Sequence, residues 1–170
     1  MTAVSDLGLT NRNGIAVQRS LQWVASTALG ARALAPVTPG LDAAVGRLSA
    51  GRATFVEDVV GLRTIHLTTL GARTGLRRTV PLVALVDDDA IAVIGSNWGR
   101  PHHPAWVFNL LASPQATVTW RTRSVDVTAH EAQGVAAERI WRIARSTYRG
   151  FRTYPARAEG RTIRVFRLTA

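Results

Sequence analysis

The chain has 170 residues, 46% hydrophobic and 19% charged, which excludes a disordered chain and amounts to one domain with a short appendage. Net charge is +10, all 21 basic residues are arginines and cysteine is absent, so disulfides and thiolate metal sites are excluded; codon bias in a GC-rich genome accounts for arginine over lysine, while the excess over acids keeps nucleic acid and an anionic membrane as rival partners. No apolar run approaches the ~20 residues that cross a bilayer, and the N-terminus lacks a signal peptide's order of segments; a cytoplasmic protein, soluble or peripheral to a membrane, is expected.

Met1 to Asn13 reads as irregular. From Ile15 to Leu34, Val17, Leu21, Val24 and Ala28 recur at helical spacing, and Gln18, Arg19, Gln22 and Arg32 break the run. Such an amphipathic helix packs on the domain or, with Trp23, Arg12 and Arg19, lies on an anionic membrane surface through residues 15–34. Leu41 to Leu48 reads as a second short helix, so residues 1–52 are expected to form a helical extension and residues 53–170 the main domain.

The pattern then changes to period 2. Thr54 to Val60 and Arg63 to Thr69 read as strands, the second placing Ile65 and Leu67 on one face and His66 and Thr68 on the other. Val80 to Val86 and Ile91 to Ile94 read as two strands of a hairpin turning at Asp87-Asp88-Asp89, with Pro81 marking an edge strand. Pro104 to Leu111 is a predicted short helix. Thr117 to Arg121 and Ser124 to Ala129 form a hairpin, Val135 to Thr147 a helix with a Glu138/Arg142 pair, and Thr162 to Leu168 a last strand. About six short strands joined mostly by hairpins argue for a mainly β, antiparallel barrel with peripheral helices.

Two stretches could carry chemistry. In Leu70-Gly71-Ala72-Arg73-Thr74-Gly75-Leu76-Arg77-Arg78-Thr79, two glycines allow close backbone approach, Thr74 offers a hydroxyl, and three arginines suit phosphate or carboxylate oxygens. The segment reads either as an anion cradle or as a solvated hairpin turn. In the second stretch, Gly95 and Gly99 flank Ser96, Asn97 and Trp98, whose amides can face a planar ligand. Trp106 and Asn109 share a face of the following helix, suited to core packing with a buried hydrogen bond. His102 and His103 diverge and lack further ligands nearby, so no metal site is expected. No nucleophile elbow or carboxylate pair supports hydrolysis.

Taken in order, Thr69-x-Gly71-x-Arg73-Thr74-Gly75-x-x-Arg78-Thr79-x-Pro81-Leu82, Gly95-Ser96-x-x-Gly99 and His103-Pro104-Ala105-Trp106-x-x-Asn109-Leu110 resemble the deazaflavin (coenzyme F420)-dependent nitroreductase family. The tail Tyr148-x-x-Phe151-x-x-Tyr154 to Arg161-x-Ile163 is similar to that family's C-terminal aromatic segment. The resemblance implies a split β-barrel of the FMN-binding type that holds a 5-deazaflavin with a phosphate-bearing, oligoglutamate tail. By that resemblance, Arg73, Thr74, Gly75, Arg78 and Thr79 hold the phosphate side with Arg77 nearby, and Pro81, Leu82 and Val83 line the pocket. Gly95, Ser96, Asn97, Trp98 and Gly99 run against the ring, buttressed by Trp106 and Asn109, while Tyr148, Phe151 and Tyr154 close over the substrate. Val107 and Phe108 replace the family's common Tyr and His, and Phe151 replaces a frequent Tyr.

The function expected from this resemblance is an oxidoreductase that moves hydride from reduced coenzyme F420 to a small organic acceptor such as a quinone or nitroaromatic. No side chain is expected to act as an obligate catalytic nucleophile, because the hydride chemistry belongs to the cofactor. Without a hydroxyl at Phe151, apolar quinone-like acceptors are favoured. The alternatives are a deazaflavin carrier, an FMN protein on the same barrel, and a basic nucleic-acid-binding module whose stacking residues would be Trp120, Arg121 and Arg123. Nucleic acid is not the expected partner, and the oligomeric state is open.

Overall fold

The computed structural model describes residues 2–9 and 62–170. The expected helices at 15–34 and 41–48 and the strand at 54–60 lie outside these residues, as does the segment assigned to a membrane surface. No helix among the described residues is long and apolar enough to cross a membrane.

Seven antiparallel strands form one sheet in the order β2-β1-β5-β6-β7-β4-β3. They are β1 (Thr64–Leu70), β2 (Arg77–Val83), β3 (Leu85–Asp87), β4 (Ala90–Ile94), β5 (Gln115–Trp120), β6 (Arg123–Glu131) and β7 (Val165–Thr169). The two edge strands, β2 and β3, are separated in sequence by Ala84 alone, whose N–H donates to Arg63 O at 2.9 Å. A flat sheet cannot bring its opposite edges within one residue, so the sheet curls into a barrel split along that line. The continuous apolar run Val80 to Val86, expected as one strand, is therefore two. Ala84 turns the chain across the seam, a break that an unbroken apolar pattern cannot reveal.

Other expectations hold with shifted ends. β1 buries Ile65 and Leu67, β2 with Pro81 is an edge strand, and β3 and β4 form the hairpin through Asp88, whose φ is 56°. The central strand β4 is buried at every position, which is why its sequence reads as a solid apolar run.

Helices cover the barrel. α1 (Ala3–Leu7) lies in a segment that reads as irregular from sequence, yet it is a helix closed by a Thr2/Ser5 capping box and by Gly8 at φ 70°. It is too short to show periodicity, and its helical form is supported by burial: Ala3, Leu7 and Leu9 join Ile65, Val93, Val127 and Phe166 in the main core. α2 (Ala105–Ala112) follows Pro104, and α3 (Gly134–Thr147) and α4 (Gly150–Arg157) precede β7. A second core gathers Leu85, Ile94, Ile140, Ala144 and Val165 with the aromatic residues of α3 and α4. Glu138 and Arg142 of α3 do not form the expected ion pair. Arg139 instead reaches buried Asp87, with Nη2 donating to Oδ2 at 3.0 Å and Nε 2.8 Å from Oδ1, off the line of a hydrogen bond. Arg167 Nε approaches the same carboxylate at 2.8 Å, so one buried acid ties α3 and β7 to the β3–β4 hairpin.

Candidate functional site

Gly71 to Leu76 joins β1 to β2 and closes on itself, Gly71 N–H donating to Leu76 O at 2.9 Å and Gly75 N–H to Gly71 O at 2.8 Å. The two glycines are required for different reasons. A Cβ on Gly71 would meet Thr74 Oγ1 at 2.7 Å and Leu76 O at 3.1 Å, whereas Gly75 has room but sits at φ 63°. The loop is fastened from beneath by Asn109, which is buried: its Oδ1 accepts from Ala72 N–H at 3.0 Å and its Nδ2 donates to Thr69 Oγ1 at 2.9 Å. The side-chain bonds of Asn109 thus run to the arginine loop at Ala72 and to the end of β1 at Thr69, and not to the Gly95–Gly99 loop.

Arg73, Arg77 and Arg78 are all exposed, and none forms an ion pair with a described acid. Strand register separates the last two. Arg78 lies opposite Thr69 and shares its sheet face with Val80 and Leu82. Arg77 lies opposite Leu70 on the other face, with Thr79, Pro81 and Val83, and lines a cleft of about 440 Å³ beside Thr68, Thr117 and Asp126. Thr79 Oγ1 is 2.8 Å from Thr68 Oγ1 across the β1–β2 pair, and Thr74 Oγ1 accepts a long 3.4 Å bond from Leu76 N–H. Of the expected lining Pro81, Leu82 and Val83, only Leu82 faces the same way as Arg78.

The second loop leaves β4 at Gly95, where a Cβ would come within 2.8 Å of Val107 Cγ2. Asn97, Trp98 and Gly99 then take φ of 49°, 59° and 77°, a left-handed run in which two side-chain-bearing residues each cost on the order of 1 kcal/mol. Arg161 holds the loop. Its Nη1 donates to Gly95 O at 3.0 Å, its Nη2 to Ser96 O and Arg100 O at 2.9 Å each, and its Nε to Arg100 O at 3.1 Å. Asn97 Nδ2 adds a bond to His102 O at 3.0 Å, and Gly99 packs on Arg157 and Tyr154 of α4. With its carbonyls turned toward Arg161, the loop leaves the N–H groups of Asn97 and Trp98 without an acceptor among the described residues. That backbone can receive an electronegative edge of a flat ligand.

One helix supports both loops. Asn109 of α2 grips the arginine loop, while Val107 and Trp106 of the same helix pack behind Gly95 and Trp106 meets Phe166 edge-on at 5.8 Å. Adjacency of the two loops therefore depends on α2.

Tyr148, Phe151 and Tyr154 do share one side of the tail, but each is at most 4% exposed. Their rings face one another with centroids 5.8 to 6.2 Å apart, and Tyr154 OH donates to Tyr148 OH at 3.4 Å. Burial pushes both phenol pKa values up, so both stay neutral. Gly150 is required here because a Cβ would collide with Tyr148. The ring that meets this cluster from α3 is Trp141, edge-on to Phe151 at 6.2 Å. Sequence reasoning gives neither Arg161 nor Trp141 a role; the arginine belongs to the quoted tail motif, but its partners are 58 to 66 residues away.

Comparison with known proteins gives a consistent result. The family model described as F420H(2)-dependent quinone reductase matches residues 43–170. An F420H(2)-dependent quinone reductase of Mycobacterium tuberculosis (strain ATCC 25618 / H37Rv) is 33% identical over 82 residues, covering 47% of this chain and 55% of the relative. The chain thus spans about half the length of the curated relatives it matches. Among solved structures, an F420-H2 dependent reductase is 33% identical with a TM-score of 0.57, over 62% of this chain and 93% of that one. A structure described as a domain-swapped dimer is 30% identical with a TM-score of 0.60, over 77% and 98%.

Proposed function

Because the chain belongs to the F420H(2)-dependent quinone reductase family, we propose that it binds a reduced 5-deazaflavin of the F420 type and reduces an acceptor of the quinone class. The observation that carries this reading is the exposed basic hairpin: Arg73 on a turn that Asn109 holds in place and Arg77 and Arg78 at the start of β2, none with an ion pair to a described acid. Such donors match the charge and geometry of a phosphate-bearing tail. The bound deazaflavin would supply the hydride.

The chain's own residues bind and orient. Arg73, Arg78 and Thr74 hold the phosphate, and Arg77, on the opposite face of β2, adds charge at the rim. The backbone of Asn97 and Trp98 receives the ring edge, held in its left-handed form by Arg161. The buried cluster of Tyr148, Phe151 and Tyr154 keeps water from the far side of that loop. The chain's share of the catalysis is placement and a dry environment, with no covalent step on a side chain.

Fluorescence titration with deazaflavin and with flavin mononucleotide tests the reading. Arg73→Ala and Arg78→Ala should each weaken deazaflavin binding by about 1.5 to 3 kcal/mol, the range for a hydrogen bond to a charged group, with circular dichroism unchanged. Undiminished affinity in both variants would remove the cradle. Binding without quinone turnover would make the protein a carrier, and tighter binding of flavin mononucleotide would reassign the cofactor.

A further inference from the structure

The Arg161 clamp is built on neutral acceptors. Beside the carbonyls of Gly95, Ser96 and Arg100, its guanidinium meets His103, whose Nδ1 lies 3.2 Å from Nη1. No carboxylate pairs with Arg161 among the described residues. Glu131, the acid whose charge acts on His103, is committed elsewhere: both its oxygens accept from Arg164 Nη1, at 2.8 and 2.7 Å. A guanidinium can only donate, so Nδ1 of His103 accepts and the proton of the neutral ring sits on Nε2. The same Nη1 donates to Gly95 O at 3.0 Å, and Asn97 Nδ2 donates to His102 O at 3.0 Å. The segment His102-His103 is thus tied twice to the Gly95–Gly99 loop.

The first of these ties exists only while His103 is uncharged. A proton on Nδ1 replaces the acceptor by a donor and sets a second positive charge 3.2 Å from a guanidinium with no acid to offset it. Arg161 and Arg164 face the imidazole from the segment leading into β7, and Glu131 faces it from the end of β6. From α2 comes Phe108, edge-on at 5.7 Å, and the α3 side of the adjoining cleft presents the uncharged Gln133, Ala137 and Trp141. Burial, with Arg161 and Arg164 beside it, lowers the His103 pKa against the opposing pull of Glu131. The ring is therefore neutral at neutral pH and takes up its proton below the ordinary 6.5.

We propose that His103 is a positioning residue and pH latch for the ring-binding loop: its neutral imidazole seats Arg161 on the carbonyls of Gly95, Ser96 and Arg100, and its protonation unseats Arg161, so that the loop relaxes and releases the deazaflavin. His103 does not touch the ring. It acts through Arg161 from the carbonyl side of the loop, while the N–H side of Asn97 and Trp98 faces the ligand. The loop is the element that yields, because the left-handed φ of 49° and 59° at those two residues has to be held against strain. The release of deazaflavin rests on the function proposed above; the response of the loop does not. The single chemical step is transfer of a proton from solvent to Nδ1. By linkage, bound deazaflavin must oppose that protonation as strongly as protonation opposes binding.

Two readouts keep the latch and the cofactor apart. In the deazaflavin-free chain, Gly99 N–H donates to Ser96 O at 2.9 Å. Between about pH 7.5 and about pH 5, its protection factor against hydrogen exchange should fall by about threefold or more relative to His103→Gln at the same pH. The glutamine keeps an acceptor toward Arg161 and does not titrate. Over the same range the deazaflavin Kd, measured by fluorescence, should rise by about threefold or more in the unaltered chain relative to His103→Gln. Any titration of the deazaflavin itself is common to both chains and cancels. His103→Leu, without an acceptor, should bind deazaflavin weakly at both pH values. Equal Gly99 protection in the unaltered and glutamine chains at every pH overturns the latch. Diverging protection with parallel pH dependence of the two Kd values overturns the link from latch to ligand. Diverging protection in a chain that binds no deazaflavin at any pH supports the latch and overturns the cofactor assignment instead. Should His103→Gln not fold, NMR on the unaltered chain decides: Gly99 protection should break at the pH where the His103 imidazole resonances titrate, and separate midpoints overturn the proposal.

Discussion

Replacing Asn109 with Ala should loosen the arginine loop and weaken the fold together, because the same side chain does both jobs. Asn109 is 7% exposed and makes two hydrogen bonds, at 3.0 Å from Ala72 N–H and at 2.9 Å to Thr69 Oγ1. Each is worth about 1 kcal/mol net, and the buried Thr69 hydroxyl left without its donor adds desolvation cost, so a loss of about 2 to 3 kcal/mol is expected. For a chain of this size that corresponds to a fall in Tm on the order of 4 to 12 °C. Urea unfolding followed by circular dichroism measures the first quantity, provided the m-value is unchanged, and deazaflavin fluorescence measures the second. Affinity should fall, since the N–H of Ala72 and the turn carrying Arg73 lose their anchor. A loss of stability below about 0.5 kcal/mol, within the range of ordinary surface substitutions, would show that α2 does not hold the loop as argued. A full loss of stability with unaltered deazaflavin affinity would show that the loop needs no anchor to bind.

Asp87→Asn should destabilise by about 3 kcal/mol, the low end for breaking a buried pair, because Arg139 and Arg167 are themselves 42% and 29% exposed and can recover solvent; chemical denaturation checks this. Stability should fall as pH drops below 6.5, since the His103 pKa is lowered in the folded chain and the unfolded chain takes up the proton first; His103→Gln should reduce that slope in Tm against pH, and an identical slope would exclude the histidine as its source. Gly150→Ala should cost about 1 to 3 kcal/mol by forcing the Tyr148 and Tyr154 rings apart, and near-UV circular dichroism should report the repacking.

What the sequence determined by itself was local. Period-2 alternation set β1, the solid apolar run set β4, Pro81 marked an edge strand, and glycine spacing with arginine content marked an exposed basic turn, because each depends on residues within a few positions of one another. Membership in the family was legible for the same reason, as ordered short motifs. The tertiary structure decided how those pieces act. Asn109 reads as a core residue until Thr69 and Ala72, 40 and 37 positions away, are brought beneath it. Arg161 is an ordinary basic residue until the curl of the sheet sets it against Gly95, Ser96, Arg100 and His103, and Arg77 parts from Arg78 only through the register of β2 on β1. Ala84 looks like one more residue of a strand, although the barrel's two edges meet there. Hydrogen bonds and packing across such distances leave no periodic trace in the chain, since the partner of a buried polar group is chosen by the fold that surrounds it.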